Sequence, residues 1–228
     1  FLHIPQLCRL EHLVASFFEA FNFGGALITT EVQLPDVHDS GSSSCFDSSP
    51  GYHVPNSGST YQTLCPFGTY QPNAGQSSCY NADPGHYVNQ EGATTQSHCE
   101  IGTYQPNTGQ SSCYNAYPGH YVNQQGASNQ TACSQGTYNP NQGSTSSTAC
   151  ILASAGYFVP SNGSSNQSRC PTGTYQPSSG AHDCIDASPG FHVPHNGSTI
   201  QMECPSGTFA PGFGSSNCTD ANPGYYVE

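Results

Sequence analysis

Twelve cysteines in a chain of 228 residues are the side chains with the clearest chemistry in this sequence. Cysteine supplies two kinds of structural chemistry, a disulfide in an oxidising compartment or a thiolate ligand for zinc. Structural zinc sites place their thiolates at Cys-x-x-Cys spacing, and this spacing occurs nowhere in the chain. The cysteines therefore predict disulfides and an extracellular or cell-surface location, and they predict neither a metal site nor a metal cofactor.

The spacing of the cysteines defines an internal repeat. From Cys45 onward, steps of 20 residues alternate with steps of 14, except for one step of 17 between Cys133 and Cys150. A fixed period of this size is typical of repeat architectures. We predict a head with a linker, five repeats and the start of a sixth. Their boundaries are 1–44, 45–78, 79–112, 113–149, 150–183, 184–217 and 218–228.

Each repeat divides into two halves of about 17 residues with the same order of residue types. The first repeat begins with Pro-Gly-Tyr-His-Val at residues 50–54, and its second half begins with Cys-Pro-Phe-Gly-Thr-Tyr at 65–70. Frequent Gly and Pro disfavour helix interiors, so each half is expected to form a short strand around its aromatic residue, with turns at the glycines. The predicted fold class is a small disulfide-rich, mostly β or irregular, solenoid-like rod of 34-residue repeats.

The second half-repeat carries a motif that resembles a known family. Residues 65–79 read Cys-Pro-x-Gly-Thr-Tyr-x-x-x-x-Gly-x-x-x-Cys, and the motif returns at 170–184 and, with Phe209, at 204–218. It resembles the ephrin-receptor-like cysteine-rich repeat and is similar to the first half-module of tumour-necrosis-factor-receptor cysteine-rich domains. The resemblance covers residues 45–228 and implies an extracellular module. The family usually has Cys-x-x-Cys at each junction, whereas this chain has a single Cys there.

Two local disulfide pairings are possible. One pairing joins cysteines across the short steps and leaves Cys8 for Cys45, and the other joins cysteines across the 20-residue steps and strands Cys8 and Cys218. The receptor-type half-module implies the bond of the first pairing, which also uses all twelve cysteines. The expected bridges are Cys8–Cys45, Cys65–Cys79, Cys99–Cys113, Cys133–Cys150, Cys170–Cys184 and Cys204–Cys218.

Residues 1–44 lack the repeat. Their apolar side chains at helical spacing predict a helix, followed by a strand over Ala26 to Leu34 and a linker. The head either caps the end of the solenoid or docks on another copy of the chain. In the second case the assembly interface is Leu10, Leu13, Val14, Phe17, Phe18 and Phe21.

Five sequons are the candidate modification sites. Each fits Asn-x-Ser/Thr, the acceptor sequence for N-glycans in a secreted chain. The residues are Asn129, Asn162, Asn166, Asn196 and Asn217. Abundant Ser and Thr leave room for O-glycans, and covalent glycans are the only expected non-protein groups.

Histidine recurs beside the aromatic residues of the first half-repeats, at His53, His86, His120 and His192. These histidines could form a metal-binding or pH-sensing ladder. They could instead pack on the neighbouring disulfide in place of an aromatic ring. Because His alternates there with Tyr and Phe, the packing interpretation is favoured.

The charge of the chain excludes several classes of function. The formal net charge is −12, with two basic residues and no Lys. This composition argues against binding to nucleic acids or anionic membranes. No apolar run reaches the length of a membrane span. The chain has no metalloprotease, nucleophile-elbow or dinucleotide-binding motif, so we expect neither catalytic residues nor an enzyme.

These observations predict a structural extracellular protein. We expect a glycosylated subunit or segment of a filament, a flagellar-hair-like structure or a matrix, with other copies of the chain as partners. Residues 218–228 span about a third of a repeat, so either the chain continues or the head of another copy covers this end, which would give a head-to-tail polymer. The alternative is the stalk of a receptor or adhesin ectodomain, binding a protein or glycan near residues 143–149.

Overall fold

The computed structural model describes residues 7–8 and 45–224. Within these residues the secondary structure consists of two-residue strands and one 3-10 helix, Ser147–Ala149. The strands are β1 Leu7–Cys8, β2 Cys45–Phe46, β3 Tyr52–His53, β4 Thr63–Leu64, β5 Thr69–Tyr70, β6 Tyr80–Asn81, β7 His86–Tyr87, β8 Ser97–His98, β9 Thr103–Tyr104, β10 Tyr114–Asn115, β11 His120–Tyr121, β12 Thr131–Ala132, β13 Thr137–Tyr138, β14 Ile151–Leu152, β15 Tyr157–Phe158, β16 Ser168–Arg169, β17 Thr174–Tyr175, β18 Ile185–Asp186, β19 Phe191–His192, β20 Met202–Glu203, β21 Thr208–Phe209 and β22 Thr219–Asp220.

The strands pair two by two into antiparallel hairpins. From β3 onward each half-repeat forms one hairpin, which we call a rung, and the rungs are numbered 1 (β3·β4) to 10 (β21·β22). The strand around the aromatic residue was predicted, whereas the second strand of each rung was not. β1 pairs with β2, so Leu7–Cys8 of the head lies beside the start of the first repeat. The predicted class of a small, disulfide-rich, mostly β and irregular fold built from 34-residue units is confirmed.

A turn with glycine opens each first half-repeat, and proline precedes this glycine except in the fourth repeat, which has Ala155. In rung 1 the amide of Tyr52 donates to the carbonyl of Ser49 at 3.0 Å, and Gly51 between them has φ of 82°. This left-handed conformation is strained for residues with a Cβ atom, which is why glycine occupies the position.

Backbone hydrogen bonds join each rung to the next two. From rung 1, the amides of Gly51 and Val54 donate to carbonyls of rung 2, those of Gln71 and Gln76, at 2.8 and 2.9 Å. The amide of Gly92 in rung 3 donates to the carbonyl of Cys65 in rung 1 at 2.8 Å. Equivalent bonds recur along the described repeats, so the rungs form one continuous stack.

The close stacking of alternate rungs explains a second requirement for glycine. A Cβ atom on Gly119 of rung 5 would collide with the carbonyl oxygen of Gly163 in rung 7. The turn glycine therefore provides the positive φ and also the space for the rung two steps along the stack.

The core consists of two columns of small side chains. The first column alternates Val with a polar residue, and the second alternates Cys with Ala. The buried members of the first are Val54, Gln71, Val88, Gln105, Val122, Asn139, Val159, Gln176 and Val193, with Ala210 at the next polar position. Those of the second are Cys65, Ala82, Cys99, Ala116, Cys133, Ala153, Cys170 and Ala187, with Ser48 at the alanine position before Cys65. Such residues bury little apolar area each, so the disulfides replace much of the stabilisation that a larger core would give.

The buried glutamines are fully hydrogen-bonded. Gln105, with 1% of its surface exposed, donates from Nε2 to the carbonyl of Ser112 at 2.8 Å and accepts at Oε1 from the amide of Asn107 at 3.1 Å. No buried side-chain polar atom among the described residues lacks a hydrogen-bond partner. Polar groups that would be costly to bury unpaired thus close the loop of their own rung.

The longer third repeat changes one loop of the stack. Its extra residues lie between Cys133 and Cys150, where the 3-10 helix Ser147–Ala149 forms. Asn139 occupies the column position of a glutamine, and its Nδ2 donates to Ser144 Oγ at 2.8 Å and to the carbonyl of His120 at 3.0 Å. The insertion is accommodated inside the loop without interrupting the ladder of rungs.

The predicted helix and strand of the head lie outside the described residues, as does the predicted interface over residues 10–21. Within 7–8 and 45–224, no helix has the length and apolar character needed to cross a bilayer.

Candidate functional site

The disulfides are the first candidate site, and each one ties two consecutive rungs together. The bridge from Cys65 to Cys79 joins the end of rung 1 to rung 2, with the Cα atoms 5.8 Å apart. The bridges between described cysteines are Cys65–Cys79, Cys99–Cys113, Cys133–Cys150, Cys170–Cys184 and Cys204–Cys218. This is the pairing across the short steps.

Cys45 is also disulfide-bonded, and its register partner across β1·β2 is Cys8. The side chain of Cys8 lies outside the described residues, so the expected Cys8–Cys45 bridge stays a prediction.

A glutamine hydrogen bond stands at each junction where the family has its second bridge. Ala82 and Gln96 are 14 residues apart, as Cys65 and Cys79 are, but one rung further along. Gln96 Oε1 accepts from the amide of Asp83 at 2.7 Å, next to the fully buried Ala82. The same bond links Gln62 to Ser49, Gln130 to Tyr117, Gln167 to Ser154 and Gln201 to Ser188.

The sequence contains a signal for this replacement that the repeat analysis did not use. From residue 62 onward, each junction reads Gln-x-x-Cys or Cys-x-x-Ala where the family has Cys-x-x-Cys, as at 62–65 and 79–82. Disulfides and side-chain hydrogen bonds therefore alternate along the stack.

Two of the four recurring histidines pack on the bridges. His53 Nδ1 lies 3.3 Å from Cys79 Sγ, and His192 Nδ1 lies 3.1 Å from Cys218 Sγ, as the packing interpretation predicts. The ligand-type atoms of His53, Cys65 and Cys79 lie within 4.8 Å of one another, but the sulfur atoms are in a disulfide. A disulfide offers no thiolate to a metal ion.

The other two histidines bond to the turn before them. His86 Nδ1 lies 3.1 Å from the carbonyl oxygen of Pro84, and His120 Nδ1 lies 3.2 Å from that of Pro118. These rings stand one position earlier in their strands than His53 and His192.

All five sequon asparagines are exposed. Asn162 Oδ1 accepts from the amide of Gln135 at 2.8 Å, and Asn196 Oδ1 accepts from the amide of Thr172 at 2.9 Å. Nδ2, the atom that carries an N-glycan, is not the atom used in these two bonds. Both side chains are accessible and held in place at once.

An exposed apolar row follows the even-numbered rungs. Side chains of opposed residues in a hairpin lie on the same face, and in rungs 2, 4, 6 and 8 a tyrosine of the first strand stands opposite a tyrosine or isoleucine of the second. We call the second-strand residues the tyrosine–isoleucine row. They are Tyr80, Tyr114, Ile151 and Ile185, with exposed fractions of 51%, 45%, 45% and 45%.

Tyr104 anchors the row where the aromatic side chains are densest. Its ring centroid lies 6.0 Å from that of Tyr114 and 6.2 Å from that of Tyr117. Burial, followed by the interaction with Tyr117, raises the pKa of the Tyr104 phenol above its usual value. The phenol therefore stays neutral to a higher pH than that of an ordinary tyrosine.

Comparison with known proteins identifies the repeats. A family model described as tyrosine-protein kinase ephrin type A/B receptor-like matches residues 51–99 and 156–204. Each matched segment spans three consecutive rungs, 1 to 3 and 7 to 9. No curated protein matches the chain.

Disulfide-rich repeats of this family are typically non-enzymatic, and both the family and the number of bridges agree with an extracellular location. By this match, residues 51–99 and 156–204 are similar to ephrin-receptor-like cysteine-rich repeats.

Proposed function

We propose that this chain is a structural element of an extracellular assembly, a glycosylated subunit or segment of a filament, a flagellar-hair-like structure or a matrix. The unbroken backbone ladder between rungs carries this proposal, since the same donors and acceptors join rung to rung over residues 51–215. Repeats that contact only near neighbours extend to any length with the same local energetics. Such a stack suits a spacer or fibre better than an enclosed binding site.

Copies of the chain pack side by side through the tyrosine–isoleucine row. The row contains no charged residue, and successive members lie in alternate rungs that contact one another, as the bond from the amide of Gly109 to the carbonyl of Ala82 illustrates. A second copy presents the same row at the same spacing, so a two-fold contact between identical surfaces is self-complementary. Burying such side chains removes apolar surface from water.

Glycans on the exposed sequons keep the rest of the surface solvated. Charged residues are 7% of the chain, against about 25% in an ordinary soluble domain. Hydrophilic sugars on Asn162, Asn166 and Asn196 would supply the hydration that charged side chains provide elsewhere. The row residues are not part of any sequon.

Sedimentation velocity and electron microscopy test the packing. We compare the wild-type chain with an Ile151→Ser/Ile185→Ser double variant over a range of concentrations. Each isoleucine is 45% exposed, so burying the rest of its side chain contributes about 0.7 kcal/mol. Each isoleucine occurs twice in a two-fold contact, so each substitution should weaken self-association by about tenfold.

Leu152→Ser is the matched control for this experiment. Leu152 is 57% exposed and directly follows Ile151 in β14, so its side chain points to the opposite face. Self-association of this control should equal that of the wild type. Equal loss in the control and the double variant would reject the row as the interface.

A wild-type chain that stays a monodisperse monomer at high concentration would contradict the assembly proposal. It would favour the stalk of a receptor or adhesin that binds a protein or glycan. Contacts to that ligand would then be sought at the inserted loop, residues 143–149.

A further inference from the structure

Two histidines face each other across rung 3. His86 in β7 and His98 in β8 are register partners, and their ring centroids lie 4.4 Å apart with a tilt of 46° between the planes. Opposed residues of a hairpin project to the same face. The hairpin thus brings two imidazoles together that are 12 residues apart in the sequence.

The hydrogen bond of His86 fixes which of its nitrogen atoms is available. Nδ1 lies 3.1 Å from the carbonyl oxygen of Pro84, and a carbonyl can only accept, so Nδ1 is the protonated atom. In the neutral ring, Nε2 then keeps its lone pair. A second partner of this kind is the usual device that orients a metal-binding imidazole and selects its tautomer.

The ring of His98 lies against Gly126 of rung 5, the rung two steps along the stack. A Cβ atom on Gly126 would lie 3.1 Å from His98 Nδ1, so this edge of the ring faces the glycine backbone and Nε2 lies on the other side. His98 is exposed and His86 is half-buried, which leaves the pair open to ions from solvent.

We propose that His86 and His98 together bind one divalent transition-metal ion, Zn²⁺ or Cu²⁺, through their imidazole nitrogens. Imidazole is a preferred ligand of both ions. Two protein nitrogens leave the remaining coordination positions to water. The net charge of −12 raises the local concentration of cations near the chain. The sequence predicted no metal site because only hairpin pairing creates this one.

The next repeat supplies an internal comparison. His120 occupies the position of His86, with Nδ1 3.2 Å from the carbonyl of Pro118, but its register partner is Ala132. Rung 5 therefore has half of the pair and should bind the ion much more weakly. The rings also lie differently: a Cβ atom on Gly163 would lie 3.2 Å from His120 Nε2, so this nitrogen faces the neighbouring stacked rung.

Isothermal titration calorimetry with Zn²⁺ tests the proposal on the full, disulfide-bonded chain. We expect the His98→Gln variant to lose one site or bind at it at least about tenfold more weakly, whereas His120→Gln should match the wild type. Electron paramagnetic resonance with Cu²⁺ should show two nitrogen ligands in the wild type and fewer in His98→Gln.

Ions bound elsewhere on the chain are common to the wild type and the variants, so they cancel in these comparisons. Intact-mass measurement of the bridges verifies that each variant is folded and oxidised. Wild-type Zn²⁺ affinity in His98→Gln would overturn the proposal, as would no binding by the wild type.

Discussion

Glutamine has two separate structural roles in this protein, and both depend on its ability to donate and accept at once. In the column position, Gln71 bonds to the carbonyl of Ser78 and the amide of Asn73 within its own loop. At the junctions, Gln96 accepts from the amide of Asp83 and donates to its carboxylate at 2.7 Å. A chain with few apolar residues can therefore fill its interior with amides, because each amide is satisfied.

The sequon at Asn162 yields a prediction at the scale of single residues. Asn162 is exposed, and its Oδ1 is held by the amide of Gln135 while Nδ2 remains for a glycan. Chain secreted from a eukaryotic host should lose mass on treatment with an N-glycosidase. Asn162→Gln should carry one glycan fewer in intact-mass measurement.

Ser164→Ala provides the matched control for this site. It removes the acceptor sequence and keeps the bond between Asn162 and Gln135, so it should lose the same glycan mass. A wild-type mass that equals that of the bare polypeptide, before any enzyme treatment, would contradict the prediction.

At the scale of the element, odd- and even-numbered rungs have the same backbone hydrogen bonds, although disulfides occur at alternate positions only. Ala82 forms no disulfide, but its amide donates to the carbonyl of Gly68 at 2.8 Å. The amide of the disulfide-bonded Cys65 donates in the same way to the carbonyl of Gly51 at 2.9 Å. The backbone around the missing family bridge thus has the same hydrogen bonds as the backbone around a bridge that is present.

This equivalence predicts that the missing bridge can be restored. The Ala82→Cys/Gln96→Cys variant should form a disulfide without external oxidant beyond that of the secretory pathway. A loop of this size adds about 3 kcal/mol in the chain-entropy model. We expect calorimetry to show a higher thermal midpoint than that of the wild type. Mass spectrometry should show a mass lower by two hydrogens than that of the same variant with the new bridge reduced.

The Ala82→Ser/Gln96→Ser variant separates the effect of the new bridge on stability from the effect of losing the glutamine hydrogen bond. It should melt below the wild type, because the amide of Asp83 loses its partner. If alkylation instead finds two free thiols in the cysteine variant, the two rung types differ in geometry and the equivalence is wrong.

At the scale of the whole molecule, stability should be distributed locally along the stack. Each rung bonds to the next two, and each bridge ties one pair of rungs. In repeat proteins of this kind, stability is close to a sum of repeat and nearest-neighbour terms. Damage to one pair of rungs should therefore spread only to its neighbours.

Hydrogen exchange with mass spectrometry measures this directly. Cys99→Ser/Cys113→Ser should lose amide protection over residues 85–116 and more weakly in the adjoining rungs, with protection over 190–221 unchanged. The Cys204→Ser/Cys218→Ser variant should give the reverse pattern. A uniform loss of protection in either variant would show that the stack unfolds as one cooperative unit.

Local information in the sequence accounts for most of the fold. The period of the cysteines, the turn at Pro50 and Gly51, and the strand around each aromatic residue all depend on contacts within one or two half-repeats. The match of the family model to residues 51–99 and 156–204 confirms the repeat type. These features are encoded locally because glycine, proline and cysteine constrain the chain where they stand.

The sequence by itself thus determined that this is a cysteine-rich repeat chain with little apolar core and five sequons. Only the tertiary structure decided which side chains share a surface. The second strand of each hairpin is short and lacks a strong strand pattern, and its register sets the partners of Tyr80, Ile151 and His98. The tyrosine–isoleucine row and the histidine pair exist because hairpin register and rung stacking bring distant residues together, and neither follows from spacing along the chain.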